Sequence, residues 1–525
     1  MTPYRHLTAL AAIAFAALSQ RRNTSGRRTC PITGRFLAGC LGFVLACGIA
    51  AVASAQTRTL RIVTYNIAAD TGGYATNRPG LINLYSGGSV TNGGVLEGIG
   101  EEIVGSDPAQ PLDILALQET TSNTTTVTPI VNGLNTYYNY NTPGMFAMSL
   151  YQATSSGGVT SGGGPNALIY NTTTVQLLAS VPVDPPGGIS QLGFASGEYR
   201  EVMRYEFAPA GAAPTAANEF YIYVSHYKAS TGTANEASRA GEAQIIRNDS
   251  ATLPGNARIL YVGDYNSTGG SSEAGYQTII APGVNQGLDP MNPSGATGID
   301  WSVDSLMDEK TESAADLRYR DDLQIMTTNV FYGLEGGLAL VPGTYHVFGN
   351  NGITPYQGNV SSNNLALTNL AASAPISAAT LYRDLTNASD HLPVVADYTI
   401  PILTPFQSWQ MLYFGSTTNA AAAPAADPDN DGMSNWAEFL AGTNPTNSAS
   451  VLRLTDIARQ GNDLRITWTM GSGKTNVLER ATALGGASSF TDAFTVLTVG
   501  SITNYLDVGA ATSAPARYYR VRLGP

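Results

Sequence analysis

The chain has 525 residues, of which 13% are charged, and its formal net charge is −12. This length predicts more than one domain. The acidic balance disfavours a protein that its own surface charge steers to nucleic acid, but it does not exclude a nuclease whose divalent metal supplies positive charge locally.

The first 56 residues differ in composition from the rest of the chain. They contain six Arg, no Lys and no acidic residue, and two apolar runs at 7–18 and 36–55. The second run ends in Ala-Ser-Ala, the small-x-small pattern of a signal-peptidase site, which predicts a signal peptide over 1–56 that is cleaved near Ala55. A membrane anchor is the alternative, but the run is rich in Gly and Ala and a strand pattern follows it directly. We expect a secreted, periplasmic or cell-surface protein without a stable membrane span.

Removal of this segment would change both cysteine content and charge. All three cysteines, Cys30, Cys40 and Cys47, precede the predicted cut. The mature chain would have no disulfide, so core burial or bound metal must stabilise it. It would keep 21 basic against 39 acidic residues, a net charge of −18.

Short apolar runs that end in polar residues recur along the next part of the chain. They occupy 60–66, 113–119, 221–226 and 259–266, with polar groups again at 320–322 and 389–391. Open α/β folds bind ligands at the carboxyl ends of strands, although Gly-Asp-x-Asn at 263–266 is also ordinary turn chemistry. In serial order, these motifs resemble those of the endonuclease/exonuclease/phosphatase family, over about residues 60–398.

The resemblance implies an α/β fold for residues 57–400, a two-sheet α/β sandwich of the deoxyribonuclease-like kind with helices outside. The residues themselves indicate α/β layers, because short strands rich in Val, Ile and Tyr alternate with a more helical interval at 234–250. We therefore expect the polar ends of several strands to meet at one site.

The resemblance also implies a catalytic metal. Asn66, Glu119 and Asp390 would hold Mg²⁺ or Mn²⁺, which prefers oxygen ligands and keeps several waters. The structural alternatives are a capping role for Asn66 and an ordinary surface position for Glu119.

Catalytic roles follow from the same resemblance. Asp264 and Asn266 would orient the nucleophile and contact the phosphate, and His226 would donate to the phosphate or the leaving oxygen. His391 would accept a proton from the attacking water, with Asp322 fixing its tautomer. An alternative assigns proton transfer to Asp264.

Two choices between neighbouring residues stay open. Arg200 matches a family strand that carries an Arg toward the phosphate and is the expected substrate-binding residue, with Arg204 as its competitor. Asp322 takes the family position in Arg-x-Asp, but Asp321 stands where an apolar residue is commoner. His346 is interpreted as structural.

Beyond residue 400 the composition changes, and a segment at 401–450 combines a short amphipathic helix at 406–414, an alanine-rich linker and a calcium-loop pattern. The twelve residues from 427 to 438 place oxygen side chains at positions one, three, five, nine and twelve and a Gly at position six. This pattern resembles exported dockerin and thrombospondin type 3 repeats. The predicted Ca²⁺ ligands are Asp427, Asp429, Asp431, Met433 through its backbone, Asn435 and Glu438.

The last part, 451–525, shows short alternating strands separated by turn residues, which predicts a small antiparallel β-sandwich. It resembles fibronectin-type modules of exported proteins. No catalytic set is present in it, so a spacer or cell-surface attachment role is expected.

The sequence therefore predicts an exported metal-dependent phosphoesterase, a monomer that hydrolyses phosphodiester bonds, with an extracellular or periplasmic nuclease as the first interpretation. Sphingomyelinase-like lipid hydrolysis and inositol-phosphate hydrolysis would use the same site. An alternative of another class is a non-catalytic, calcium-stabilised adhesive protein.

Overall fold

The computed structural model describes residues 56–524 except for 70–80, 82–93, 106–107, 139–143, 155–162, 184–199, 213, 217, 304–308, 313–316, 335–336, 351, 353–366, 368–369, 373, 375, 472, 484–489 and 498–499. Residues 1–55 of the predicted signal peptide, with its three cysteines, lie outside the described residues. Within the described residues, no helix has both the length and the apolar character needed to span a membrane.

Two large sheets and flanking helices form the first part of the described chain. In chain order the strands are Gln56–Asn66 (β1), Ile114–Gln118 (β2), Phe146–Met148 (β3), Ala167–Asn171 (β4), Val175–Pro182 (β5), Met203–Pro209 (β6), Phe220–His226 (β7), Ile259–Asp264 (β8), Gly287–Leu288 (β9), Asp322–Thr327 (β10), Ala339–Leu340 (β11), His346–Val347 (β12) and Val394–Ile402 (β13). The helices are Val95–Glu101 (α1), Thr128–Tyr138 (α2), Thr233–Ser250 (α3), Ala274–Ile280 (α4), Thr328–Tyr332 (α5) and Ala378–Ala388 (α6).

The two sheets have mixed strand directions. The first has the order β11-β13-β1-β2-β4-β3, with β12 also paired to β13, and the second has the order β5-β6-β7-β8-β10-β9. Their central pairs, β1 with β2 and β7 with β8, are parallel. The remaining pairs beside them are antiparallel, including β1 with β13 and β8 with β10.

Both faces of the central strands are buried, and successive residues of β1 supply different cores. Leu60 and Ile62 pack between the two sheets, together with Ile222 and Val262 of the second sheet. Val63 and Tyr65 face the other way, into a core that includes residues of α1, α2 and α6. This alternation is the two-residue period of a strand.

A third core lies on the outer face of the second sheet. Tyr223 and Tyr261 of that sheet pack there with Ile246 of α3 and Ile279 of α4. Helices thus cover the outer faces of both sheets, and the layer order is helix, sheet, sheet, helix. The predicted two-sheet α/β sandwich is confirmed.

The strand directions bring the predicted site residues to one edge. In the parallel pairs, Asn66 at the end of β1 aligns with Gln118, and His226 at the end of β7 aligns with Asp264. The antiparallel strand β10 begins at Asp322, directly opposite Asp264. Polar ends of strands from both sheets therefore meet at the same edge.

The chain continues through a helical segment into a small β module. Helices Pro405–Phe414 (α7) and Asn435–Ala441 (α8) come first. They are followed by Arg453–Gln460 (β14), Asp463–Thr469 (β15), Thr475–Ala481 (β16), Thr491–Leu497 (β17), Ile502–Asp507 (β18) and Tyr518–Leu523 (β19). These strands form two three-stranded sheets, β14-β15-β18 and β17-β16-β19, around a core that includes Trp468 and Leu478. The predicted C-terminal β-sandwich is confirmed.

Candidate active site

A buried group of acidic, amide and imidazole side chains forms the centre of the candidate site. Asn66 Nδ2 donates to Glu119 Oε1 at 3.1 Å and to Asp264 Oδ2 at 3.0 Å. His226 Nε2 lies 3.4 Å from Asp264 Oδ2 and 3.6 Å from Glu119 Oε1. Four residues that are far apart in sequence therefore meet within one small volume, and each is at or beside the end of a strand.

Burial shifts the titration of this group. Burial raises the pKa of Asp264 to about 7, with further upward contributions from Asp322 and Glu312. Burial also lowers the pKa of His226 well below its usual range, and the positive charges of Arg200 and His391 act in the same direction. The lowered pKa favours the neutral imidazole of His226 at physiological pH.

Two of the site residues adopt left-handed backbone conformations. Glu119 has φ 53° and Asn266 has φ 47°, although neither is glycine. Such conformations cost about 1–3 kcal/mol each and concentrate at functional sites. At Glu119 the bend comes directly after β2, where it turns the carboxylate toward Asn66 and His226.

His391 and Asp322 form a second pair at the same edge. His391 Nδ1 lies 2.7 Å from Asp322 Oδ2, and both side chains are buried. Burial alone would lower the pKa of His391, but the carboxylates of Asp322, Asp264 and Glu312 together outweigh burial and raise the pKa well above the usual range. The bond occupies Nδ1 and so leaves Nε2 as the ring nitrogen that is not engaged by Asp322.

The acid beside Asp322 is buried too. Both carboxylate oxygens of Asp321 lack a hydrogen-bond partner among the described residues. Burial, followed by the neighbouring Glu312, raises the pKa of Asp321 well above its usual range. Of the two acids that the sequence left open, Asp322 is the one that contacts His391.

Arg200 and Asn266 converge on a single carbonyl behind His226. Arg200 Nη1 donates to Tyr227 O at 3.2 Å, and Asn266 Nδ2 donates to the same oxygen at 3.1 Å. The Asn266 N–H also donates to Asp264 Oδ1 at 2.8 Å. Residues 263–266 therefore form the local turn that the sequence allowed, and the same residues also line the candidate site. Arg204 points elsewhere, because its Nη1 pairs with Asp249 Oδ2 at 2.5 Å.

Two predicted ligands are presented differently from the expectation. The Asn66 amide oxygen accepts from the Ala68 N–H at 3.0 Å, so the atom that faces the carboxylates is the nitrogen. Asp390 is exposed, and its Oδ1 lies 3.4 Å from Ser389 Oγ. It belongs to neither of the buried groups of acids and imidazoles that could hold a metal ion among the described residues.

Sequence reasoning missed the roles of Ser389 and Glu312. Ser389 Oγ donates to Asn66 O at 2.7 Å and accepts from the His391 N–H at 3.1 Å, so it connects the end of β1 to the backbone of His391. Its place directly before Asp390-His391 was the available signal. Glu312 forms a backbone bridge with His391 and contributes to the pKa shifts of two site acids, and no sequence motif marks it.

The donor set fits a divalent cation. One ligand atom each from Glu119, His226 and Asp264 lies within 4.8 Å of the others, and the same holds for Asp264, Asp322 and His391. Crowded buried carboxylates repel one another, and a cation between them removes that cost.

Comparison with known proteins adds structural similarity only. No protein-family model matches the chain, and no curated protein matches it. Solved structures do match, among them the human Nocturnin catalytic domain with bound sulfate, at 14% identity and a TM-score of 0.38, covering 66% of this chain and 97% of that one. An endonuclease/exonuclease/phosphatase family protein from Bacteroides thetaiotaomicron matches at 13% identity and a TM-score of 0.34, covering 66% of this chain and 98% of that one. TDP2 from D. rerio, complexed with a single-strand DNA product, matches at 10% identity and a TM-score of 0.33, covering 65% of this chain and 98% of that one. At these scores the function must be argued from the site itself.

The calcium-loop pattern folds into a compact turn. The Gly432 N–H donates to Asp427 Oδ2 at 3.0 Å and the Met433 N–H to Asp431 Oδ1 at 2.8 Å, with Gly432 at φ 94°. Glu438 is fully buried, and burial together with the loop aspartates raises its pKa to about 7. Oxygens that lack a hydrogen-bond partner among the described residues are Asp429 Oδ2, Asp431 Oδ2, Asn435 Oδ1 and both carboxylate oxygens of Glu438.

Proposed function

We propose that this chain is an exported, divalent-metal-dependent phosphoesterase of the endonuclease/exonuclease/phosphatase type that hydrolyses phosphodiester bonds. The observation that carries the proposal is the buried meeting of Glu119, His226 and Asp264 beside the His391–Asp322 pair. Metal ligands, a general base and phosphate donors at one edge are the parts that phosphodiester hydrolysis requires.

The proposed roles divide between the two sheets. Glu119 and Asp264 would hold Mg²⁺ or Mn²⁺, and the ion would neutralise charge on the phosphate, polarise it and disfavour protonation of the nearby imidazoles. His391 Nε2 accepts a proton from the attacking water while Nδ1–H donates to Asp322. His226 and Arg200 donate to phosphate oxygens, and Asn266 orients the nucleophile and contacts the phosphate.

A direct assay tests this proposal. The full chain is incubated with Mg²⁺ or Mn²⁺ and bis(p-nitrophenyl) phosphate, plasmid DNA, RNA, sphingomyelin and an inositol phosphate. We expect hydrolysis that collapses in Glu119→Gln, because the metal loses a carboxylate, while the control Glu236→Gln in α3 keeps it. Full activity in excess chelator would contradict the proposal. The panel also separates the nuclease from the lipid and inositol-phosphate alternatives, and inactivity on every substrate would favour the adhesive alternative.

The calcium loop supports a second, structural proposal. Asp427, Asp429, Asp431 and Asn435 side chains, the Met433 carbonyl and both Glu438 oxygens would hold Ca²⁺, which takes six to eight oxygen ligands. The buried oxygens without partners in this loop support the assignment. We further propose the division into a signal peptide at 1–56, a catalytic domain at 57–400, a helical calcium segment at 401–450 and a module at 451–525 that attaches or spaces the enzyme outside the cell.

A further inference from the structure

One peptide unit connects the candidate site to helix α3. Its carbonyl, Tyr227 O, accepts hydrogen bonds from Arg200 Nη1 and Asn266 Nδ2. Its other end, the Lys228 N–H, donates to Glu242 Oε2 at 2.9 Å. A peptide unit is planar, so an acceptor that fixes the N–H also fixes the direction of the carbonyl.

The acceptor of the Lys228 N–H, Glu242, is an unusual residue to find in a buried position. It lies in α3, its side chain is buried, and Oε1 has no hydrogen-bond partner among the described residues. Burial raises its pKa to about 8, and the bond from Lys228 together with the charge of Arg200 opposes that rise. An acid kept in such surroundings, with one oxygen on a single N–H, indicates a role that a smaller apolar side chain could not perform.

Arg239, one turn before Glu242 on the same helix, holds the next part of the backbone. Its Nη1 donates to Lys228 O at 2.8 Å and Ser230 O at 2.9 Å, and its Nε pairs with Glu273 at 2.8 Å. The two side chains therefore hold consecutive backbone groups of the segment that follows His226. Arg239 restrains the far end of this segment, whereas Glu242 acts on the peptide that contacts Arg200 and Asn266.

We infer that Glu242 is a positioning residue for a phosphate subsite formed by Arg200 and Asn266, and this inference rests on the proposed function. Glu242 contacts neither phosphate nor metal in this assignment. By holding the Lys228 N–H, it directs the Tyr227 carbonyl at the two donors and so fixes where they meet a phosphate oxygen.

Three substitutions separate the hydrogen bond from burial and charge. Glu242→Met removes the acceptor at similar length and should weaken binding of inorganic phosphate to the Mg²⁺-loaded full chain by about fivefold to tenfold, the effect of one lost hydrogen bond. Glu242→Gln keeps an acceptor and should bind within about twofold of the parent. Glu242→Asp keeps the carboxylate but is one methylene shorter, and should resemble Glu242→Met. Gln244→Met, exposed on the same helix, is the control.

A double-mutant cycle distinguishes positioning from general destabilisation. In an Arg200→Met background, Glu242→Met should change phosphate affinity by a smaller factor than in the parent, because only Asn266 is then left to position. Thermal-shift titration with inorganic phosphate supplies the affinities, and KM and kcat for bis(p-nitrophenyl) phosphate accompany it. We expect KM to rise in Glu242→Met and to recover in Glu242→Gln.

Several results would overturn the inference: parent-like phosphate affinity in Glu242→Met, failure of Glu242→Gln to restore it, an additive double-mutant cycle, or no phosphate binding by the parent. Should Glu242→Met not fold, Glu242→Asp and Glu242→Gln carry the same comparison. Failure of the proposed function gives a different result, in which phosphate binds and depends on Glu242 but no phosphodiester is hydrolysed. Hydrolysis with no effect of Glu242→Met contradicts the inference alone.

Discussion

The bond between His391 Nδ1 and Asp322 Oδ2 is the most informative single contact in the candidate site. It fixes the imidazole tautomer, and Ser389 fixes the backbone of the same residue through its bond from the His391 N–H. Two independent contacts therefore define where Nε2 points. A general base works only when its accepting atom is held in reach of the proton that it removes.

Substitution of this pair should affect turnover more than binding. His391→Ala should lower kcat by about 10² to 10⁴ with little change in KM, because the proton acceptor is lost. Asp322→Asn should cause a related loss, since an amide can bond the imidazole in the wrong tautomer. The double variant should be less impaired than the product of the two single effects. Steady-state kinetics on bis(p-nitrophenyl) phosphate measure all three.

The control for this pair is Asp249→Asn, which replaces a half-buried acid that bonds Arg204 and Tyr223 away from the site. Its turnover should stay near that of the parent. If His391→Ala kept most of the turnover while Asp264→Asn was inactive, proton transfer would belong to Asp264 and His391 would be a phosphate ligand.

At the residue scale, the sequence shows which polar groups end strands but not what they contact. Asn66, Glu119, His226 and Asp264 could be selected because each follows an apolar run at a predicted strand end. The bond of Ser389 to Asn66 O joins positions 323 residues apart, and nothing local to either residue encodes it. The orientation of the Asn66 amide is likewise set by a backbone turn to Ala68 that the residue type does not specify.

At the scale of elements, Gly263 shows how closely β7 and β8 approach beside the site. Its φ is 140°, and a Cβ built there would lie 1.9 Å from Ser225 O, a backbone atom of β7. No side chain can be added without separating the two strands that carry His226 and Asp264. Gly263 therefore maintains the spacing between His226 on β7 and Asp264 on β8, which pair directly beside it.

Gly263→Ala should lower the free energy of unfolding by about 2–4 kcal/mol, since strain and a backbone clash combine. It should also reduce turnover, because His226 and Asp264 move apart. The control is Gly255→Ala, where a Cβ meets no atom within 4 Å. Chemical denaturation measures both variants. Equal stability of the two would show that β7 and β8 tolerate a wider separation.

Element boundaries were largely accessible from sequence. The predicted helical interval 234–250 is Thr233–Ser250, and the predicted helix 406–414 is Pro405–Phe414, which begins with a Thr404 capping box and Pro405 in its first turn. Pairings across the sheets were not accessible from residue patterns, because alternation gives a strand its buried faces but not its neighbour. The resemblance implied a two-sheet sandwich with helices outside, which the structure confirms, but it gave no strand order.

The calcium loop gives a prediction at the same scale. In the parent, Ca²⁺ should raise the melting temperature of the transition that includes α8, because binding favours the folded loop. Glu438→Ala should abolish this rise, since it removes two buried oxygens, while turnover stays nearly unchanged. Differential scanning calorimetry with and without Ca²⁺ checks it, with Asp456→Asn in β14 as the control. A parent whose melting does not respond to Ca²⁺ would contradict the loop assignment.

At the scale of the whole molecule, buried acids connect folding to pH. Burial raises the pKa values of Asp113 and Asp264 to about 7 and that of Glu242 to about 8. Groups with raised values contribute stability that is complete below their unfolded pKa and is lost as pH rises through the folded pKa. The pKa values of His391 and His346 are also raised, so these residues likewise lose their stabilising contribution as pH rises. The pKa of His226 is lowered, so its contribution to stability is instead lost as pH falls below its ordinary value of 6.5.

The metal-free chain should therefore lose stability between about pH 6.5 and about pH 8.5. Asp113→Asn should flatten this dependence, because one proton fewer is released, and Mg²⁺ should oppose the loss by binding ionised Asp264. Chemical denaturation across this pH range, with chelator or with Mg²⁺, measures both effects. Stability that stayed constant or rose with pH in chelator would contradict the assignment of these acids as buried and protonated.

The site is divided between the two sheets. Glu119 follows a strand of the first sheet and Asp264 ends a strand of the second, so the distance between these carboxylates depends on how far apart the sheets stand. Apolar side chains such as Ile62 and Val262 set that separation. Mg²⁺ requires oxygen ligands at about 2.1 Å, whereas Ca²⁺ accepts about 2.4 Å with looser geometry. The volume of these methyl groups would thus influence which ion the proposed site prefers, and repacking the interior should change ion preference without altering any polar residue.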